Sequence, residues 1–297
     1  MMLGLRRGTV ALVPHETAWE EEAARTVETL KTLFGETAAD VQHVGSTSVR
    51  AVMAKPIVDI AVAATDLDAA LKKRDALSAA GFYYRPTELP EQLLFARGSY
   101  YEGTGEEQTH FIHVVRAGSK AWRDYLNFRN YLNAVPSAAK EYEALKLRLA
   151  AERPADPGRA YYLAGKQAFI ARALVSALAW SYLGERVRIV IDRPVGYAHR
   201  RNGRTLRYPI NYGYLPGTVG GDGEALDAYL LGVSEPVKEA DARVVGVVLR
   251  KNDVEDKLIA APEGAAITRD EMAAAVRFQE RWFDAELLTP YGGPFPM

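Results

Sequence analysis

Residues 208–227 read YPINYGYLPGTVGGDGEALD, which sets Tyr208, Tyr212 and Tyr214 ahead of three closely spaced carboxylates, Asp222, Glu224 and Asp227. Carboxylates held this close repel one another and are costly to bury unless cations lie between them, so the pattern points to hard divalent metal ions. A solvated acidic turn is the other reading, because Gly220, Gly221, Asp222 and Gly223 are all turn formers. A second acidic run, Asp253-Val254-Glu255-Asp256, precedes Lys257 at the start of an expected strand. Two acidic clusters beside tyrosines and a lysine suit magnesium and a phosphate-rich anion.

A second constellation lies upstream. HVGSTS at residues 43–48 is followed by KPIVDI at 55–60, and Asp59 stands twelve positions after Thr47. A strand, a Gly45-Ser46 turn and a second strand bearing Asp59 would put backbone amides against a phosphate, with a metal ligand beside it. Lys55 adds a cation. His113, on a later expected strand, can bind a metal as neutral imidazole without adding charge, although a lone strand histidine is more often simply hydrogen-bonded. Taken with Ser46, Lys55 and Asp59, it is read here as part of a ligand site.

The elements that must position these groups follow from periodicity. Helical spacing is expected over residues 17–34, 67–80, 121–133, 138–151 and 161–183, with strands at 9–14, 41–44, 57–62, 93–97 and 111–115. Period-2 segments take over after Gly184, at 187–192, 243–250 and 257–261, followed by a last helix near 269–283. This order predicts an α+β domain over residues 1–183 and a β-rich domain over 184–297.

Composition narrows the function classes. A length of 297 residues suits two domains of about 150 each. With 37 basic against 38 acidic residues, no global field favours nucleic acid or an anionic membrane, and nucleic acid is not expected as a partner despite the arginines at 200, 201, 204 and 207. The absence of cysteine removes thiolate chemistry and cysteine-ligated zinc and fits a cytoplasmic protein. The most apolar run, 168–183, contains Arg172 and falls short of the roughly 20 residues a membrane span needs. A homo-oligomer is left open.

The run Tyr208-Pro209-Ile210-Asn211-Tyr212-Gly213-Tyr214, with Asp222-Gly223-Glu224-Ala225-Leu226-Asp227 after it, resembles the signature of soluble family I inorganic pyrophosphatases. The resemblance implies a small OB-type β-barrel that uses Mg2+ to activate a water against pyrophosphate. It implies that Asp222, Glu224 and Asp227 bind metal and orient the water, with Glu224 where the family usually has aspartate. It likewise implies that Tyr212 lies near phosphate and that Asp256 and Lys257 complete the metal and phosphate shell. Only fifteen residues separate Asp192 from Tyr208, so Arg204 or Arg193 is expected to replace the ligands of the family's longer hairpin.

The first half, through HVGSTSV, KPIVDIAV, HFIHVV and Tyr142-Glu143-Ala144-Leu145-Lys146 before Lys166, resembles the GrpB (UPF0157) family across residues 9–175. That family is a branch of the nucleotidyltransferase-like fold. Active nucleotidyltransferases place a second carboxylate two residues after the first; here that position is Ala61. The two resemblances together imply a Mg2+-dependent bifunctional enzyme that moves a nucleotidyl group from a nucleoside triphosphate to an unknown acceptor and hydrolyses the released pyrophosphate. The alternative is a nucleotide- or phosphate-binding regulatory protein, which Ala61, Glu224 and the short hairpin favour.

Overall fold

The structure, a computed structural model, describes residues 2–87, 89, 91–201, 204–290 and 292–296; of Arg201, Arg204 and residues 292–296 it describes the backbone alone. The chain forms two compact units, residues 1–170 and 171–297. Their division falls inside the long helix Ala160–Ser181, upstream of the change in sequence character at 181–186.

The first unit begins with β1 (Leu5–Arg6), α1 (Thr17–Phe34), β2 (Ala38–Val44) and β3 (Val58–Ala64). It continues through α2 (Leu67–Leu71), α3 (Arg74–Ala79), β4 (Tyr83–Arg85), β5 (Gln92–Arg97), α4 (Ser99–Glu102), β6 (Glu107–Gln108) and β7 (His110–Arg116). It closes with α5 (Lys120–Ala134), α6 (Pro136–Glu152) and the start of α7 (Ala160–Ser181). Five strands form one sheet in the order β2-β3-β7-β5-β4, parallel only between β3 and β7.

Alternation along β3 decides what each face carries. Val58, Ile60 and Val62 pack with Trp19, Ala23, Leu30 and Phe34 of α1, whose i, i+4 spacing supplies the opposing stripe. Ala61 and Ala63 pack on the opposite face with Val44, Val115 and Trp122 of α5. Asp59 shares that face with Ala61 and emerges at the end of the strand. The strand expected at 9–14 is absent: Thr9 and Val13 each make a single bridge, to Ala155 and Ala54, so the segment is tied at two points without a ladder. The helix expected at 67–80 divides at Lys72-Lys73 into α2 and α3.

The second unit contains β8 (Arg186–Arg193), β9 (Ala198–Arg201), β10 (Arg204–Arg207), β11 (Asn211–Tyr214), β12 (Asp227–Leu230), β13 (Glu239–Arg250) and β14 (Lys257–Ala261). α8 (Arg269–Glu280), β15 (Ala285–Thr289) and β16 (Gly292–Pro296) follow. The sheet order β14-β12-β11-β8-β13 closes on itself through β13–β14 pairing, giving a five-stranded barrel. β13 manages this by its length: residues 239–243 pair with β8, and 243–248 pair with β14 across a bulge. Tyr208, Tyr212, Tyr229, Val248, Ile259 and Leu287 form its core, joined by Met272 and Val276 of α8. Thr268 and Glu271 cap that helix reciprocally.

Two glycines set the close backbone approaches of the barrel. A Cβ on Gly213 would lie 1.9 Å from the Val190 carbonyl oxygen, so only glycine allows β11 to cross β8 this closely between Tyr212 and Tyr214. A Cβ on Gly221 would lie 1.8 Å from the Val254 carbonyl oxygen. That contact seats the loop of Asp222 and Glu224 directly on the second acidic run.

Candidate functional sites

In the barrel, Asp227 and Lys257 open the neighbouring parallel strands β12 and β14. Lys257, 1% exposed, donates to Asp227 Oδ2, and also to Glu255 Oε2 at 2.5 Å. Tyr212, two residues from the Asp227 partner Tyr214 on β11, donates its hydroxyl to the same Asp227 oxygen. Burial and the Asp227 charge push the Tyr212 hydroxyl well above its usual pKa, so it stays a donor. These groups line a cleft of about 620 Å3 together with Asp192, Arg193, Tyr214, Asp222 and Glu224.

The acidic groups there are unequal. Burial raises the Glu255 pKa; Lys257 opposes that rise, while Asp227 and a hydrogen bond with Asp222 reinforce it. Asp222 goes the other way: burial would raise it, but the Glu224 backbone N–H at 2.9 Å and the hydrogen bond from Glu255 hold it below the usual carboxylate range. Glu255 and Asp222 are thus shifted in opposite directions within one cleft. Asp192 is raised by burial, with the Asp227 charge adding to the effect and Arg193 opposing it. Arg193 lies over the Tyr208 and Tyr212 rings at 5.5 and 5.0 Å and donates to the Tyr208 hydroxyl at 2.7 Å.

Of the residues singled out in the barrel sequence, Tyr212, Asp222, Glu224, Asp227 and Lys257 share this cleft. Asp256 does not line it: its carboxylate is buried against Arg172 at 2.9 and 2.5 Å and accepts the Arg250 backbone N–H at 2.9 Å. Its neighbour Glu255 occupies the cleft instead. Period-2 alternation back from Lys257 was the available signal, since Glu255 and Lys257 lie two apart. Asp192 is a further cleft residue outside the predicted set. The Arg204 side chain lies outside the described residues, whereas Arg193 is in place.

Among the described residues, no three His, Cys, Asp or Glu side chains are arranged to hold a metal ion. The donor chemistry nevertheless suits Mg2+: Asp192, Asp222, Glu224, Asp227 and Glu255 bring hard carboxylate oxygens to one cleft.

In the first unit, Ser46, Lys55, Asp59 and His113 line one pocket of about 410 Å3. β3 and β7 run parallel, and His113 Nε2 reaches Asp59 Oδ1 at 3.1 Å. His113 Nδ1 faces the Gln92 amide nitrogen at 3.0 Å, and Gln92 Oε1 takes the Tyr125 hydroxyl at 3.4 Å. This assigns the Nε2–H tautomer and engages both ring nitrogens, so His113 orients Asp59 and has no free lone pair for a metal. Gly45 abuts the same carboxylate: its φ is +71°, and a Cβ there would lie 2.5 Å from Asp59 Oδ2. Ala61, where a second carboxylate would stand, is fully buried under Trp122.

The pocket also gathers cations to which sequence reasoning gave no role: Arg7, Arg85, Arg159 and Lys166. Lys55 and Lys166 lie 4.8 and 4.6 Å from the Tyr162 ring centroid. Arg159 adopts a left-handed φ of 58° and donates to the backbone oxygens of Thr9 and Arg6 at 3.0 and 3.3 Å. Burial, then Lys166 and Arg159, lower Lys55 to about 7; burial and Lys166 lower Lys146 to about 7. Among the described residues, Lys55, Arg85, Lys146, Arg159 and Lys166 form no ion pair with a carboxylate.

Fold and sites define a two-unit protein, with an α+β unit bearing a cation-lined pocket followed by a barrel with an acidic cleft. The family model for GrpB protein matches residues 9–175 and that for inorganic pyrophosphatase matches residues 185–285. The first match spans more than half of the chain, which belongs to the GrpB family. Similar proteins include the glutamate-rich protein GrpB of Alkalihalophilus pseudofirmus, 36% identical over 157 residues, covering 52% of this chain and 89% of that protein. The UPF0157 protein YqkA of Bacillus subtilis is 32% identical over 171 residues, covering 58% of this chain and 48% of its own. The crystal structure of GrpB from Enterococcus faecalis matches with a TM-score of 0.52 at 27% identity, covering 58% of this chain and 99% of that one. Among the described residues, no helix is long and apolar enough to cross a membrane.

Proposed function

We propose that this chain is a cytoplasmic Mg2+-dependent enzyme whose barrel hydrolyses pyrophosphate, and whose first unit, of nucleotidyltransferase-like fold, transfers a nucleotidyl group to an acceptor. The observation that carries the reading is the convergence of Asp222, Asp227, Glu255 and Lys257 in one cleft. Asp222, Glu224, Asp227 and Glu255 would hold the metal. When bound, it lowers the pKa of a water and offsets phosphate charge. Lys257 and Arg193 oppose the negative charge that builds on phosphoryl oxygens, and Tyr212 fixes the Asp227 carboxylate that faces the attacking water. Removing pyrophosphate makes its release by the first unit irreversible, which gives the fusion a chemical logic.

The test follows both products when the protein is given each nucleoside triphosphate with Mg2+ and candidate acceptors. Asp59→Ala should stop nucleotide consumption, whereas Asp227→Ala should leave it running and let pyrophosphate accumulate. Consumption that ignores Asp59, or phosphate release that ignores Asp227, contradicts the reading. The packed Ala61 favours a second reading for the first unit alone, that it binds a phosphorylated ligand as a regulatory site without transferring anything.

A further inference from the structure

The first-unit pocket sets five cationic side chains, Arg7, Lys55, Arg85, Arg159 and Lys166, around a single carboxylate, Asp59. That carboxylate is already held by His113, and Gly45 leaves it no room to swing away. Like charges gathered without carboxylate partners repel one another, and the fold tolerates them where an anion relieves the repulsion. A divalent cation has little to hold it here. Asp59 is one ligand, Ala61 offers none, both His113 nitrogens are engaged, and the surrounding charge repels a second positive ion.

We infer that this pocket takes a molecule bearing a chain of two or more phosphates and binds it without a divalent metal, its own lysines and arginines supplying the counter-charge. The inference deepens the nucleotide-binding reading of the first unit and rests on it. Lys55 and Lys166, on Tyr162, present two ammonium groups to the phosphate chain. Arg85, half-buried and steadied by the Tyr101 hydroxyl at 3.0 Å, offers a guanidinium suited to bidentate phosphate contact. The Ser46 hydroxyl adds a neutral donor, and Ile57, Leu94 and Phe111 form an apolar wall for whatever the phosphates are attached to.

The test is calorimetric titration of the full-length protein with inorganic tripolyphosphate and with ATP, each in EDTA and in Mg2+. The inference expects both ligands to bind in EDTA, with affinity in Mg2+ no better than about threefold tighter. Lys166→Gln, which keeps the stem over Tyr162, and Arg85→Ala should each weaken the EDTA binding roughly tenfold or more while leaving the thermal midpoint near that of the wild type. Binding that appears only with Mg2+ overturns the inference, as does EDTA binding indifferent to both substitutions. Binding of ATP without tripolyphosphate places recognition on the nucleoside and also overturns it. Metal-free binding with no nucleotide transfer ends the transfer half of the proposed function and leaves this inference standing; transfer without metal-free binding does the reverse.

Discussion

Arg172 holds both oxygens of the Asp256 carboxylate, at 2.9 and 2.5 Å, in a site where the Asp256 side chain is fully buried. That pairing takes Asp256 out of the barrel's chemistry and leaves Glu255, one residue earlier, facing Lys257 and Asp222.

The two neighbours should therefore separate in mutagenesis. Asp256→Ala removes the carboxylate partner of Arg172 and the acceptor of the Arg250 backbone N–H. It should cost about 2–4 kcal/mol, at or below the range for breaking a fully buried pair because Arg172 is partly exposed. Glu255→Gln should leave stability within about 1 kcal/mol of wild type. The same substitution should lower pyrophosphate hydrolysis about 10- to 100-fold. Urea unfolding and phosphate release on the same preparations read both effects, and the opposite assignment would show as a stable, inactive Asp256→Ala.

Gly45→Ala tests the approach of the Gly-Ser turn to Asp59. The new Cβ would lie 2.5 Å from Asp59 Oδ2 at a φ of +71°, so two penalties combine. The loss should be about 2 kcal/mol or more, from left-handed strain plus displacement of the carboxylate. A variant as stable as the wild type by chemical denaturation would mean that the turn relaxes freely.

Lys146 makes stability depend on pH in a direction opposite to the usual lysine. It is fully buried and donates to the Met53 carbonyl, and burial and Lys166 lower its folded pKa to about 7 from 10.5. Between those values the unfolded chain binds a proton that the folded chain has released, so this residue's contribution to stability rises with pH through the window. Lys146→Met should reduce the slope of the profile between about pH 7 and pH 10, leaving the share that Lys55, also lowered to about 7, contributes in the same window. Identical slopes in the two proteins would remove Lys146 as the cause.

The barrel's cleft was legible in sequence because its signature is local. Gly213 and Gly221 stand where one backbone crosses another too closely for any Cβ, and the tyrosines and carboxylates around them keep fixed offsets. Asp256 misled because adjacent acidic residues differ only in which face they take, and that depends on where β14 begins. The first-unit pocket was half legible: Ser46, Lys55 and Asp59 lie within fourteen residues, and His113 was recognised on its parallel strand. Arg7, Arg85 and the Arg159–Lys166 stretch come from three separate segments, and only tertiary packing brings them to one cavity. The engagement of both His113 nitrogens, likewise, depends on Gln92 and Tyr125 from other elements.

The central claim rests on the cleft of Asp222, Asp227, Glu255 and Lys257, and phosphate release from pyrophosphate tests it most directly. With Mg2+, the full-length wild type should turn over, chelation should stop it, and Asp227→Ala, which removes the acceptor of both Tyr212 and Lys257, should lower the rate about 100-fold or more. A wild-type protein that releases no phosphate from pyrophosphate, or an Asp227→Ala variant that releases it at the wild-type rate, would contradict the account.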